Sequence, residues 1–280
     1  MKEMVCLVTG ANAGIGYVTA RDLAKTGATT VLLCRDEQRG QAARDGISAE
    51  TGNDSVSMLL CDLSSQASIR QAAEAFARKH DALHVLVNNA AMHTEERRLT
   101  VDGIETQFAT NYLSYFLLTR LLLDTLEASA PARIINLSTA NHHEVSLDLD
   151  DLQSEKSYDP KPVHMRSKLA VILFTFELAR RLQGTGVTAN CLHPGVIATN
   201  LLGQIRRIPD HQRFTEVMGG APLDEGAKTP LYLATSPEVE GVSGEYFEDL
   251  RPARSSDATR DEDLARELWQ ISSKLTGLAA

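Results

Sequence analysis

The segment Thr9-Gly10-Ala11-Asn12-Ala13-Gly14-Ile15-Gly16 follows the first apolar run of the chain and opens a stretch of helical character. Its G-x-x-x-G-x-G spacing supplies backbone that accepts positive φ and close approach, as a pyrophosphate seated on a helix N-terminus requires. A glycine-rich turn alone is weak, but between a strand and a helix of small residues it reads as a dinucleotide-binding loop. Gly10, Asn12, Gly14, Ile15 and Gly16 are the expected contacts there. After the second apolar run the chain reads Leu33-Cys34-Arg35-Asp36. Arg35 can pair with a ribose 2′-phosphate through charge-assisted hydrogen bonds, which favours NADP. Asp36, in a shifted register, would bind a 2′-hydroxyl instead and favour NAD.

These residues need a scaffold, and the chain alternates strand-like and helical stretches throughout. Strands are expected at Met4–Thr9, Thr29–Cys34, Ser55–Leu60, Leu83–Asn88, Ala132–Ser138, Val187–Leu192 and Glu245–Phe247. Helical patterns lie near 14–26, 36–51, 65–80, 101–128, 163–183 and 223–235. Strict succession of strand and helix predicts parallel β-α-β units. Right-handed crossovers then make a doubly wound α/β sheet of about seven strands, a Rossmann fold, the economical topology. No linker or repeat divides residues 1–280, so one domain is expected. Residues 140–162 and 196–222 break the rhythm. In an open α/β sheet both would follow carboxyl ends of strands, where ligands bind, so they read as substrate loops. An ordinary surface loop is the alternative.

Composition narrows the function classes. With Lys plus Arg at 28 and Asp plus Glu at 37, the net charge of −9 argues against nucleic acid or an anionic membrane as main partner. The apolar stretch from Tyr112 to Leu126 is interrupted by Arg120 and Asp124 and is too short to span a bilayer. No signal peptide precedes the first strand, so the expected location is cytoplasmic. Cys6, Cys34, Cys61 and Cys191 lack metal-like spacing and read as core thiols, so no metal is expected.

In order and spacing, the glycine loop, Cys61-Asp62-Leu63, Asn88-Asn89-Ala90-Ala91, Asn111 and His193-Pro194-Gly195 resemble the motifs of the short-chain dehydrogenase/reductases. Asp151-Leu152-Gln153, Ser167-Lys168-Leu169-Ala170 and Leu192-His193-Pro194-Gly195-Val196 look most like the branch of the retinol dehydrogenases and the WW-domain oxidoreductase. The resemblance implies that Asp62 and Leu63 lie by the adenine, and Asn88 and Ala90 by the cofactor ribose. It places Lys168 on the nicotinamide ribose and Thr199 on the carboxamide, with Pro194 and Gly195 among the cofactor contacts. Asn111 would anchor a relay water. Read from the residues alone, Asp62 can equally cap a helix and Asn88 sit in a turn.

The same resemblance puts a catalytic Tyr four residues before Lys168, on one helix face, where this chain has His164. The charge of Lys168 disfavours the imidazolium. A neutral imidazole there serves as a base for alcohol oxidation but is a poor general acid near neutrality. The resemblance also places Thr139, of the pair Ser138-Thr139, at the position of the catalytic Ser. Neighbours on a strand face opposite ways, so Ser138 is not an easy substitute. Tyr158, His142 and His143 lie in the adjoining lid and are candidates to compensate, although an ordinary place in a surface loop is the stronger reading for each. The reading is an NADP-dependent oxidoreductase interconverting a carbonyl and an alcohol on a hydrophobic small molecule. Its altered relay comprises Asn111, Thr139, His164 and Lys168. A cofactor-binding protein with little turnover and a family member repurposed for a non-redox step are the alternatives. Apolar faces on 101–128 and 163–183 suggest a homodimer.

Overall fold

A computed structural model describes residues 1–205 and 220–279. Eight strands form one sheet in the order β3-β2-β1-β4-β5-β6-β7-β8. They are Val5–Thr9 (β1), Thr29–Cys34 (β2), Val56–Leu60 (β3), Val85–Asn88 (β4), Ala132–Leu137 (β5), Val187–Leu192 (β6), Tyr246–Glu248 (β7) and Arg251–Pro252 (β8). The first seven run parallel. β8, the strand beyond the expected seven, pairs antiparallel with β7 through a tight turn at Asp249 and Leu250.

The central strands bury both faces, and strand alternation sorts the side chains. Leu7, Val31 and Leu33 join the cluster under the helices Gln66–Ala77, Ser114–Leu121 and Pro160–Arg181. Cys6, Val8, Leu32 and Cys34 join the opposite cluster, under Gly14–Lys25, Glu37–Thr51 and Leu223–Thr235. Helices on both faces explain why the strands read as continuous apolar runs. Strand order reverses between β1 and β4, and the crevice at their carboxyl ends is where such sheets hold ligands.

Three elements differ from the sequence expectation. The helix expected over 101–128 starts at Thr106, because residues 99–105 form a turn bridged between Leu99 and Glu105. The buried Glu105 carboxylate then caps the helix by accepting from the N–H groups of Gln107 and Phe108, at 2.8 and 2.7 Å. Residues Ala109–Leu113 form a π-turn, an irregularity frequent at functional sites, and Asn111 lies at its centre. The helix expected from 163 begins at Pro160, with the Asp159 side chain as its cap.

The third difference is an additional helix, Glu262–Thr276. Its Leu268 and Trp269 are buried, and the Trp269 ring meets Phe116 and Phe174 at 5.0 and 5.9 Å. This helix covers the apolar faces of Ser114–Leu121 and Pro160–Arg181 that had suggested self-association. Residues 140–162 fold into the 3₁₀ turns Ala140–Glu144 and Leu149–Asp151 before the long helix. Of the expected loop 196–222, the helix Asn200–Ile205 and an Ile197–Ala221 bridge are seen, and 206–219 lie outside the described residues. No helix among the described residues is long and apolar enough to cross a membrane. All four cysteines are buried and free.

Candidate active site

A cleft of about 540 Å³ opens at the carboxyl edge of the sheet, over the β1–β4 switch. Gly10, Asn12, Gly14 and Ile15 form one wall, with Ala90 beside them. Thr139, His164 and Lys168 form another, and Pro194, Gly195 and Thr199 close a third side. Three loops far apart in sequence thus meet around one cavity.

The glycines divide the work. Gly14 adopts φ +61° and has only Thr199 near the place of a side chain, so it keeps the loop low beneath the cleft. Gly16 does not line the cleft. A methyl there would lie 2.4 Å from Asn89 Nδ2 and 2.6 Å from the Gly10 carbonyl, so its absence lets helix and β4 loop pack together. Thr9 Oγ1 accepts from the N–H groups of Asn89 and Ala90 at 2.9 and 3.0 Å, fixing the Asn89-Ala90 turn to the end of β1. The helix Gly14–Lys25 starts at Ala13 with no side-chain cap, so its first N–H groups are left for a ligand. These features fit a dinucleotide.

Arg35 is exposed at the end of β2 and forms no ion pair among the described residues. Asp36 instead caps the next helix, accepting from the Arg39 N–H at 2.8 Å. Asp62 turns to Ser64, accepting from its N–H and hydroxyl at 2.9 and 2.7 Å, and Leu63 is buried. Neither Asp62 nor Leu63 lines the cleft. Asn88 is fully buried and donates to Asn136 Oδ1 and Thr119 Oγ1 at 2.8 and 3.0 Å, tying β4 to β5 away from the cavity.

The chemistry of the second wall centres on His164. Asn111 stands behind it: its Oδ1 accepts from the Met92 N–H at 2.8 Å, which fixes the amide orientation. Its Nδ2 then donates to the Met92 carbonyl at 3.0 Å and to Ser167 Oγ at 3.1 Å. With both amide hydrogens committed, His164 Nδ1 at 3.3 Å from the Met92 carbonyl is best placed as a donor. His164 Nε2 has no protein partner among the described residues, on a side chain that lines the cleft. Burial, chiefly, and then the charge of Lys168 and the nearby His93 push the His164 pKa down to about 3. Burial outweighs the lysine, the cause expected from the resemblance to the Tyr–Lys motif.

Lys168 is buried too, and desolvation brings its ammonium down to about 7. Nζ donates to the Leu137 carbonyl at 2.9 Å and the Tyr115 hydroxyl at 3.3 Å, and lies 5.0 Å from the Tyr115 ring centre. Ser138 donates to the Lys168 carbonyl at 2.8 Å, which engages its hydroxyl in the scaffold. Among the described residues, Thr139 Oγ1 has only a long 3.4 Å contact from the Asn141 N–H, and Thr139 lines the same cleft. Tyr158 is occupied elsewhere, bonded to Thr94 and Gln107, and does not reach the cleft. His142 is fully buried outside it, and His143 is exposed.

The family model for short chain dehydrogenases matches residues 4–209. The chain belongs to the short-chain dehydrogenase family. Its activity class is therefore that of an oxidoreductase. Retinol dehydrogenase 13 of Mus musculus is 46% identical over 281 residues, covering 98% of this chain and 84% of its own length. Polyprenol dehydrogenase of Homo sapiens is 40% identical over 286 residues, covering 99% and 86%. Among solved structures, the Pseudomonas aeruginosa RhlG/NADP active-site complex superposes with a TM-score of 0.72 at 25% identity, over 88% of this chain and 94% of that one.

Residues that the sequence did not single out complete the site of this short-chain dehydrogenase. Tyr115 donates to the Ala90 carbonyl at 2.8 Å while accepting from Lys168, so it couples the phosphate-side loop to the lysine. Its only sequence signal is its place one helical turn beyond Asn111. Leu201, Leu202 and Ile205 line the cleft beside Val196 and Met165, an apolar mouth next to the polar wall.

Proposed function

We propose that this short-chain dehydrogenase oxidises the alcohol, or reduces the carbonyl, of a hydrophobic small molecule with NADP as partner. The observation that carries it is the single cleft shared by the glycine loop, Thr139, His164 and Lys168. Arg35, free and exposed where the ribose would lie, supports NADP over NAD, and the use of Asp36 as a cap removes its competition. Val196, Met165, Leu201, Leu202 and Ile205 at the mouth support an apolar substrate. The retinol and polyprenol dehydrogenases among its relatives are named for apolar alcohols.

A bound nicotinamide would accept or supply hydride. On this reading Thr139 Oγ1 holds the substrate oxygen by a hydrogen bond, and His164 Nε2 accepts the hydroxyl proton as general base. Lys168, anchored to Leu137 and Tyr115, holds the ribose. Asn111 fixes the tautomer by holding the Met92 loop against His164 Nδ1. A ring so strongly held neutral favours oxidation over reduction. The test is cofactor turnover, followed by absorbance at several pH values, across a panel of long-chain alcohols and their carbonyl products. Turnover with NADP and an apolar alcohol is the expected result. Tight cofactor binding with none on either panel would instead favour a binding protein.

A further inference from the structure

An imidazole that resists protonation cannot keep the proton it accepts, so His164 needs an exit for it. His93 lies edge-on to His164, with ring centres 6.1 Å apart. Its side chain is only 3% exposed, yet its buried Nδ1 has no protein partner among the described residues. A polar nitrogen left so is costly unless something completes it. The opposite nitrogen, Nε2, lies 3.5 Å from Glu95 Oε1, and the Glu95 side chain is half-exposed at 48%. The ring thus spans from the wall of the cleft to a carboxylate in contact with solvent.

The segment carrying it is held at both ends. Asn111 clamps the backbone of Met92 through two hydrogen bonds, at 2.8 and 3.0 Å. Thr94 is fixed by its hydroxyl and its carbonyl to Tyr158, at 2.8 and 3.1 Å. A rigid segment, a buried nitrogen free to accept and a carboxylate at the far side are the parts of a proton path.

We propose that His93 and Glu95 form the outer half of a two-histidine proton relay that connects His164 to solvent. This rests on the reading of His164 as general base. The proton taken from the substrate hydroxyl passes from the His164 ring, through one bridging water, to His93 Nδ1. The proton on His93 Nε2 is released to Glu95 Oε1 and thence to bulk water. One proton leaves the substrate, one reaches solvent, and no electrons move along the path. His93 touches neither substrate nor cofactor and acts through His164.

The test compares H93F, which keeps ring volume, and E95Q with the parent protein in alcohol oxidation. For H93F, kcat falls about 10- to 100-fold while KM and NADP affinity stay within twofold; for H93A, whose short side chain leaves a ring-sized space, imidazole added to the buffer restores part of the rate. For E95Q, at an exposed position that folding tolerates, kcat falls several-fold and the solvent deuterium isotope effect on kcat rises. A residue that merely packed would give neither rescue nor isotope effect. If the parent turns over and both variants match it within twofold, the relay is wrong and the general-base reading stands. If the parent turns over nothing, both fail together.

Discussion

The backbone N–H of Ser256 donates to His142 Nε2 at 3.0 Å, while His142 Nδ1 donates to the carbonyl of Thr139 at 2.7 Å. One neutral imidazole therefore ties the C-terminal segment to the residue carrying the candidate substrate-binding hydroxyl. Burial holds this ring neutral by lowering its pKa. In H142A, a partly buried N–H and a partly buried carbonyl both lose their partner. A destabilisation of about 3 kcal/mol is expected in urea unfolding. Alcohol turnover should fall with it, as the backbone at Thr139 loosens. Unchanged stability would mean that solvent replaces both bonds.

On the proposed reading, cofactor choice turns on the exposed guanidinium of Arg35. R35A should lose the preference for NADPH over NADH, with NADPH binding weakened on the order of 1–3 kcal/mol. D36A tests the other half of the assignment. It should cost about 1 kcal/mol of stability as a lost helix cap and leave the preference intact. Fluorescence titration of both nucleotides separates these outcomes. An NADH preference in the parent would overturn the role of Arg35.

The sheet and the glycine loop were legible because parallel strands buried on both faces leave uninterrupted apolar runs such as Val31-Leu32-Leu33. The helix Glu262–Thr276 was missed although its buried Ala265, Leu268, Trp269, Ser272, Ser273 and Thr276 recur at helical spacing, because half of that buried face is Ser and Thr rather than apolar. Asp261 as a cap and Gly277 at its end were the available signals. The one-sided order of the cleft, with His164 facing it and Tyr158 turned to Thr94 and Gln107, depends on long-range contacts that no spacing encodes. Burial as the main cause of the low His164 pKa was likewise invisible, for sequence shows the nearby charge and not the missing water.

The covered face bears on assembly. Trp269 stacks with Phe174 and lies beneath the guanidinium of Arg181, 4.1 Å from its ring centre. W269A should destabilise the chain by about 3–5 kcal/mol, as loss of a buried aromatic ring does. Light scattering of the intact chain at micromolar concentration should give a mass near 30.5 kDa, because its own helix already occupies the helical face on which pairing was expected. A stable dimer would require another face.

Stability should depend on pH through the same histidine proposed as the general base. The unfolded chain binds a proton at His164 near the ordinary value of 6.5, whereas the folded chain refuses it until about 3. Between those values the unfolded state holds more protons, so stability is greatest above 6.5 and is lost as pH falls. Each such histidine contributes a slope of up to about 1.4 kcal/mol per pH unit in that window. His142 and His193, whose pKa values burial also lowers, add in the same direction. Urea unfolding from pH 7 to pH 5 should therefore show declining stability, and H164Y should remove about one proton's worth of that slope. H164A should do the same while losing on the order of 10²–10⁴-fold in turnover, with NADP affinity preserved. H164Y should keep or raise carbonyl reduction, because a phenol retains its proton near neutrality and can donate it where the imidazole has none to give. An equal slope in parent and variants would show that His164 takes up its proton in the folded chain at an ordinary pH, and the case for a base held neutral would fall with it.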